Sequence, residues 1–249
     1  AFDCSVICAT EQAVVADRPI AAALRTEMEH LGAFFVDSGQ AEALSRVLFF
    51  PNGAINPRSV GQTPGQLARM AAIQIPETTR ILVAPLNRVG AEEPLSREKL
   101  TTVLGWYEAD GWQAGCDRCI EIIHFGGRGH SLVIHAADEK VLMAFALEKP
   151  VFRILANTMG TLGSVGMTTG LMPGMTLGPG GIGGAISGDN ITATHLLNVK
   201  RLAYPVKAPP AQALVGGDVT PSTAPRDMGP DELKAVVRAV VEEMMRAGN

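Results

Sequence analysis

The sequence has 249 residues, of which 47% are hydrophobic and 18% are charged, and its 21 basic and 25 acidic side chains leave a net charge of −4. This composition excludes a wholly disordered chain, and the mild acidity argues against a nucleic-acid or anionic-membrane partner, which would need a basic surface. No apolar run approaches the roughly 18–20 residues of a membrane helix, and the first residues lack the basic start and apolar core of a signal peptide. We therefore expect a soluble, intracellular protein with one large domain.

Helices and strands alternate in the pattern of residues 1–206. A first helix is predicted over 17–32, because Pro19 stands in its first turn and Gly32 follows its last apolar residue. Its predicted apolar face consists of Ile20, Leu24, Met28 and Leu31. The other predicted helices span 63–73, 111–125 and 138–147, and the predicted strands span 79–86, 100–107, 131–136 and 151–156. Strands that alternate with helices form a mostly parallel sheet, so the predicted fold class is α/β.

Two segments are biased toward glycine or proline. Eleven of the 27 glycines lie between Gly160 and Gly188, in a stretch without the glycine spacing of dinucleotide-binding or P-loop motifs. Long glycine-rich segments are uncommon in compact domains unless they border a site, so this one is predicted to form the wall of a pocket. Residues 207–229 contain repeated prolines and few large apolar side chains, which is typical of a flexible linker.

The four cysteines are too few for a disulfide scaffold in a chain of this length, so reduced thiols are expected. On local sequence alone, Cys8 is either an attacking nucleophile or a buried core residue, and the core is the commoner place for a cysteine in an apolar segment. The same alternatives hold for Cys4. Cys116 and Cys119 have the spacing of a redox or zinc pair, but they fall on the apolar face of a predicted helix and no second cysteine or histidine pair accompanies them. We predict no metal site.

A short loop, GGRGH at 126–130, connects a predicted helix to the next strand. Its glycines would let the backbone approach a ligand closely, and His130 could exchange a proton near neutral pH. The alternative is a helix end followed by an incidental histidine. Local sequence leaves both interpretations open.

Several segments, taken in order, resemble one enzyme family. FDCSVICATEQAVV at 2–15 is similar to the nucleophile segment of the CoA-acylating aldehyde dehydrogenases, including the N-terminal half of the bifunctional aldehyde-alcohol dehydrogenases, and the resemblance puts Cys8 on the catalytic cysteine. PLSREKLTTVLGWY at 94–107 resembles the E-K-L-x-P-V-L element, so that Glu98 would hold the nicotinamide ribose, although Thr102 stands where proline is usual. FGGRGHSLVIH resembles the G-x-G-H-(T/S) segment and places His130 on its histidine, a candidate for proton transfer.

The resemblance covers about residues 2–204, since the glycine-rich segment and DNITATHLLNVKRLAY look like the family's catalytic-domain wall and C-terminal assembly strand. It implies that residues 1–206 form a catalytic and assembly domain whose cofactor-binding partner domain is absent from this sequence. We expect a processed or truncated polypeptide that oxidises a short-chain aldehyde with NAD, passes the acyl group to coenzyme A, and forms a homo-oligomer. The isolated chain would then lack the redox step. The alternatives are a non-enzymatic assembly fragment, a hydrolytic aldehyde dehydrogenase, and a cysteine acyltransferase.

The tail, residues 230–249, is predicted to be an amphipathic helix. Its apolar residues recur at helical spacing and are Leu233, Val236, Val237, Val240, Val241, Met244 and Met245. A linker followed by a short amphipathic helix resembles the encapsulation peptides of bacterial microcompartment enzymes, which implies a shell protein as partner and a location in the microcompartment lumen within the bacterial cytoplasm. The alternative is a terminal helix packed on its own domain.

Overall fold

The computed structural model describes residues 2–208 and Ala235. The helices and strands named below all lie in one compact unit, Ala1–Asn198, and the residues of the second unit from 199 to 208 are exposed and form no helix or strand. The strands are β1 Ala13–Asp17, β2 Ala33–Phe35, β3 Ile81–Pro85, β4 Val103–Ala109, β5 Gly129–Ile134, β6 Val151–Ala156, β7 Thr176–Leu177 and β8 Asn190–Ile191. The helices are α1 Arg18–His30, α2 Ser38–Leu48, α3 Pro64–Ala71, α4 Gly111–Phe125, α5 Glu139–Glu148 and α6 Gly160–Ser164.

The main sheet has four parallel strands in the order β1-β4-β3-β2. Helices cover both of its faces, as is usual for parallel strands, which are buried on both sides. On one face Leu82 and Val103 pack with apolar residues of α2 and α3. On the other face Val83 and Leu104 pack with α1. The period-two alternation along β3 and β4 thus places neighbouring residues in two separate core layers.

A second parallel pair, β5 and β6, lies beyond α4 in the chain, and β7 and β8 form an antiparallel pair. Cys116 of α4, Ile134 of β5 and Phe145 of α5 form the core between the second pair and its helices. The fold is therefore α/β with mostly parallel strands flanked by helices, and the predicted fold class is confirmed.

The predicted helix over 17–32 is present as α1, but its buried face differs from the prediction. Leu24 and Met28 pack against the sheet together with Ala21, whereas Ile20 and Leu31 are 57% and 69% exposed. A narrow stripe at spacings of three and four residues is sufficient to cover one face of a small sheet, and Ile20 and Leu31 lie to the side of that stripe.

Within the part of the chain that the structure describes, no helix combines the length and the apolar character needed to cross a lipid bilayer. The predicted linker at 207–229 and the predicted tail helix at 230–249 lie outside the described residues, apart from the first two positions of the linker and Ala235.

Candidate active site

Cys8 lies in an exposed turn between a 3-10 turn, Phe2–Ser5, and the first strand of the main sheet. Three consecutive residues before it, Asp3, Cys4 and Ser5, have φ values of 48°, 49° and 59°, a left-handed conformation that residues other than glycine seldom adopt. The backbone N–H of Thr10 then donates to the Ile7 carbonyl at 2.8 Å and closes the turn around Cys8. The local chain thus presents the thiol at the surface.

His130, at the start of β5, lies beside this thiol. Its Nε2 is 3.2 Å from Cys8 Sγ, and its Nδ1 is 2.9 Å from Ser131 Oγ. The two residues are 122 positions apart in the chain, and the fold brings them within hydrogen-bonding distance. An imidazole fixed on one side by a hydroxyl and directed at a thiol on the other is the arrangement expected of a nucleophile and its proton acceptor.

Electrostatics favour the uncharged forms of both groups. Partial burial, together with the negative charge of Glu98, raises the pKa of the Cys8 thiol; the backbone N–H groups of Cys8 and Ala9 and the charge of Arg153 oppose that rise. Burial and the charge of Arg153 lower the pKa of His130. At neutral pH the pair is therefore a thiol facing a neutral imidazole, which can accept the thiol proton when the sulfur attacks.

Glu98 stands close enough to Cys8 to act on the pKa of its thiol, and burial raises the pKa of the Glu98 carboxyl itself. The next residue, Lys99, is only 1% exposed, and its Nζ donates to the carbonyls of Leu95 and Arg97 at 2.9 and 2.8 Å. Burial lowers the pKa of Lys99 to about 7. Lys99 was not predicted as a site residue, and its buried ammonium fixes the segment that carries Glu98.

Side chains following Cys8 connect its turn to the rest of the site. Gln12 Oε1 accepts from the backbone N–H of Lys99 at 2.9 Å, which joins the Cys8 turn to the Glu98 segment. Glu11 Oε1 accepts from the backbone N–H of Gly160 at 2.7 Å, and the hydroxyls of Thr10 and Thr161 lie 2.9 Å apart. The polar residues after Cys8 therefore hold the turn on two sides.

The glycine-rich segment packs behind the loop that carries His130. Gly129 has φ +79°, and a Cβ on it would lie 1.9 Å from the carbonyl oxygen of Pro179. A Cβ on Gly183 would come within 2.7 Å of the carbonyl oxygen of Arg128. Because Gly129 and Gly183 have no side chains, the backbone of the glycine-rich segment can contact the backbone of the loop at 126–130. This contact supports the loop that carries His130, which we call the histidine loop.

Cys116 and Cys119 lie in a different part of the fold from Cys8 and His130, and Cys4 makes no hydrogen bond with His130. Cys116 is 3% exposed and contacts Lys149 Nζ, and burial raises the pKa of Cys119 to about 11. Both thiols belong to the apolar packing between α4, α5 and the second strand pair, on the face that the sequence predicted. Among the described residues, no group of three or more potential metal-ligating side chains is found.

The catalytic roles of Cys8 and His130 and the ribose-binding role of Glu98 remain predictions. All three residues lie in one neighbourhood, with His130 in contact with Cys8 and Glu98 acting on its charge state. Two surface cavities of the described residues lie elsewhere, one beside Pro85 and Trp106, the other beside Phe50 and Arg97.

No protein-family model matches the chain. Aldehyde-alcohol dehydrogenase 2 of Entamoeba histolytica is 37% identical over 211 residues, which are 81% of this chain and 24% of that protein. The crystal structure of an acetylating aldehyde dehydrogenase from Geobacillus thermoglucosidasius is 39% identical and superposes with a TM-score of 0.81 over 84% of this chain and 46% of its own. A propionaldehyde dehydrogenase from the Clostridium phytofermentans fucose utilisation bacterial microcompartment shares the fold, with a TM-score of 0.67 and 23% identity over 75% of this chain and 42% of its own.

The matched region extends over four-fifths of this chain in the first two comparisons. The chain spans about a quarter of the curated relative and less than half of the solved enzyme. The resemblance drawn from the sequence segments and the similarity of the whole fold agree. Over four-fifths of its length, the chain is therefore homologous to part of the acylating aldehyde dehydrogenases.

Proposed function

We propose that this chain forms and discharges the thioester of a CoA-acylating aldehyde dehydrogenase, which oxidises a short-chain aldehyde to acyl-CoA with NAD as the hydride acceptor. The observation that carries the proposal is the contact between Cys8 Sγ and His130 Nε2 at 3.2 Å in a chain homologous to part of these enzymes. A thiol beside a neutral imidazole suits covalent catalysis at a carbonyl carbon.

Two residues of the chain carry the bond-forming steps. Cys8 Sγ attacks the aldehyde carbonyl carbon, a C–S bond forms, and the thiol proton passes to His130 Nε2. The backbone N–H groups of Cys8 and Ala9 stabilise negative charge at the sulfur, as their effect on its pKa indicates. Loss of hydride from the adduct carbon leaves a thioester on Cys8.

The residues present are compatible with a nicotinamide cofactor on the Glu98 side of the thiol. The Glu98 side chain is buried enough to raise its pKa but remains partly exposed beside Cys8, so its carboxylate can accept hydrogen bonds from ribose hydroxyls. When bound, the nicotinamide would take up the hydride. Gln12 and Lys99 keep the Glu98 segment in register with the Cys8 turn.

Release of the acyl group reverses the proton movement. His130 first releases to solvent the proton that it took from Cys8. It then accepts the proton of the incoming CoA thiol, the new C–S bond forms to CoA as the bond to Cys8 breaks, and the Cys8 thiolate regains a proton from His130. Because one imidazole handles both protons, a single residue serves acylation and deacylation.

The proposal is tested by acyl transfer in the reverse direction, which needs no oxidant. The chain is mixed with the propionyl thioester of N-acetylcysteamine, a truncated form of CoA, and the modified peptide is identified by mass spectrometry. We expect one propionyl group on Cys8, none on Cys4, and none in Cys8→Ala. Labelling of Cys4 in place of Cys8, or no labelling at all, would contradict the proposal.

The fate of the adduct distinguishes the alternative functions. Thiol added to the propionylated chain is expected to remove the acyl group much faster than water does, because His130 activates the thiol. Rapid loss to water would instead favour a hydrolytic enzyme, and a chain that never forms the adduct would favour a non-enzymatic assembly fragment.

We also propose the domain division and partners predicted from the sequence, with residues 1–206 as the catalytic and assembly domain of a homo-oligomer, 207–229 as a linker, and 230–249 as an encapsulation peptide that binds a microcompartment shell protein in the bacterial cytoplasm. Support comes from the single apolar stripe of the tail and from the fold shared with the Clostridium phytofermentans microcompartment enzyme. A shell-protein surface would cover the stripe of a helix too short to be stable alone.

Fusing residues 206–249 to a fluorescent reporter is expected to direct the reporter to assembled microcompartment shells. The double variant Val237→Glu, Val241→Glu should lose this targeting because it places two charges on the apolar stripe, whereas Arg246→Glu, on the opposite face, should keep it. Diffuse fluorescence from the unmutated fusion would refute the proposal.

A further inference from the structure

Arg153 of β6 is a buried cation whose hydrogen bonds all go to neutral oxygens. It is 3% exposed. Its guanidinium donates to the side-chain oxygen of Asn190 and to the carbonyls of His130, Gly178, Gly188 and Asp189, at distances of 2.8 to 3.3 Å. Among the residues that the structure describes, none of these acceptors is a carboxylate. A buried guanidinium that is fully hydrogen-bonded but not paired with an acid keeps its positive charge available to neighbouring groups.

The acceptors belong to two parts of the site. One is the carbonyl of His130 itself, and the others belong to the glycine-rich hairpin formed by β7, β8 and the residues between them. The hairpin also packs against the neighbouring side chain, since a Cβ on Gly180 or Gly188 would lie 2.2 or 2.7 Å from the ring of Phe152. Arg153 therefore connects the hairpin to the backbone of the proposed proton acceptor.

The charge of Arg153 also reaches the reactive pair. It lowers the pKa of the Cys8 thiol and that of His130, and the thiol in turn acts on the pKa of Arg153. The other groups that face Cys8 are His130, in contact with its sulfur, and Glu98, whose charge has the opposite effect on the thiol. The charge of Asp189 raises the pKa of Arg153, against the effect of burial, but its carboxylate contacts Ser187 and His195, at 3.2 and 3.5 Å.

We propose that Arg153 is a positioning residue that holds His130 and the glycine-rich hairpin behind Cys8 and supplies the positive charge that favours the Cys8 thiolate. The proposal rests on the proposed function of Cys8 for its biological meaning, but the geometry it describes does not depend on any acyl transfer. Two contributions are combined in one side chain: the five hydrogen bonds fix the position, and the charge sets the reactivity.

The experiment measures how fast iodoacetamide alkylates Cys8 at a series of pH values, by mass spectrometry of the Cys8 peptide in the intact chain. In Arg153→Met, the midpoint of the pH profile should rise by about half a pH unit and the rate at neutral pH should fall about threefold, because Arg153 is one of several groups that act on the thiol. Arg153→Lys keeps the charge and loses several hydrogen bonds, so its midpoint should stay within about 0.3 units of the unmodified chain while its thermal stability falls.

Two further variants separate charge from packing. Asn190→Asp keeps the size of the side chain and gives Arg153 a carboxylate partner, so the midpoint should rise although Arg153 is intact. The aspartate also loses the hydrogen bonds that Asn190 Nδ2 donates to the carbonyls of Ser164 and Met172, so its thermal stability should fall as well. This variant decides the question if Arg153→Met does not fold. Arg128→Met removes an exposed charge from the histidine loop and should change the rate by less than about twofold, because solvent screens that charge.

The inference is overturned if Asn190→Asp leaves the midpoint unchanged, or if Arg128→Met raises it as much as Arg153→Met does. Alkylation needs neither aldehyde, thioester nor cofactor. If the variants shift the midpoint but the chain forms no acyl adduct, the role of Arg153 is supported and the proposed function fails. If the chain forms the adduct but the variants leave the midpoint unchanged, the proposed function is supported and the role of Arg153 fails.

Discussion

Replacing His130 by alanine is expected to slow propionylation of Cys8 at neutral pH by about 100-fold or more, the usual contribution of a positioned proton acceptor. The thiol has a raised pKa, so few molecules carry a thiolate without help. In the unmodified chain the neutral imidazole at 3.2 Å takes the proton during attack. Without the imidazole, attack depends on the small fraction of free thiolate.

The pH profile gives a second signature of the same prediction. Because the pKa of His130 is lowered, the ring stays neutral to lower pH than usual, and acylation of the unmodified chain should decline only when pH falls below that pKa. In His130→Ala the rate should instead climb with pH up to the raised pKa of the thiol. His124→Ala, an exposed histidine of α4, serves as the control and should behave like the unmodified chain. A rate for His130→Ala within about twofold of the unmodified chain would contradict the role.

Replacing Gly129 by alanine is expected to destabilise the chain by about 3–5 kcal/mol, which combines a non-glycine residue at positive φ with an overpacked contact. The new Cβ would be placed 1.9 Å from the Pro179 carbonyl oxygen, so the hairpin or the histidine loop must move. Urea unfolding of the two chains measures the difference. Cys8 should also lose reactivity, because the displaced residue precedes His130 directly.

Gly126→Ala is the matched control for this prediction. Gly126 belongs to the same loop, its φ is −163°, and a Cβ there would meet no atom within 4 Å. Its substitution should change the free energy of unfolding by less than about 0.5 kcal/mol. If Gly129→Ala were equally mild, the close contact between the hairpin and the loop would not exist in solution.

Elements with strong local signals were predicted well. The helix at Gly111–Phe125 and the strand at Val151–Ala156 have the predicted bounds, because an aspartate and a glycine flank the helix and a proline and an asparagine flank the strand. The short strands β1 and β2 were not predicted, since runs of five and three residues contain too little periodicity to stand out. Helix α2 was missed although a usable signal was present, a capping box in which Asp37 and Gln40 each accept a hydrogen bond from the other's backbone N–H.

Some residues of the site could be predicted from local sequence, and others only from contacts between distant parts of the chain. Cys8, Glu98 and His130 were selected because each lies in a recognisable motif. Lys99 and Arg153 were not, since a basic residue in sequence normally indicates a solvated surface and only the packed structure shows it to be buried. For Arg153 a signal did exist: it interrupts the apolar strand VFRILA, where its side chain points to the buried side. Its partners, at positions 130 and 178–190, could not be inferred from spacing.

The polar contacts around Cys8 span long stretches of sequence: Thr10 meets Thr161 across 151 positions, Glu11 meets Gly160 across 149, and Cys8 meets His130 across 122. During synthesis at about 5–20 residues per second, the thiol therefore emerges on the order of ten seconds before its proton acceptor and its anchoring residues exist. Closing such long loops is slow compared with forming local helices. The nascent polypeptide thus carries Cys8 as an ordinary thiol, and it acquires an oriented nucleophile only when the chain has been made past residue 161.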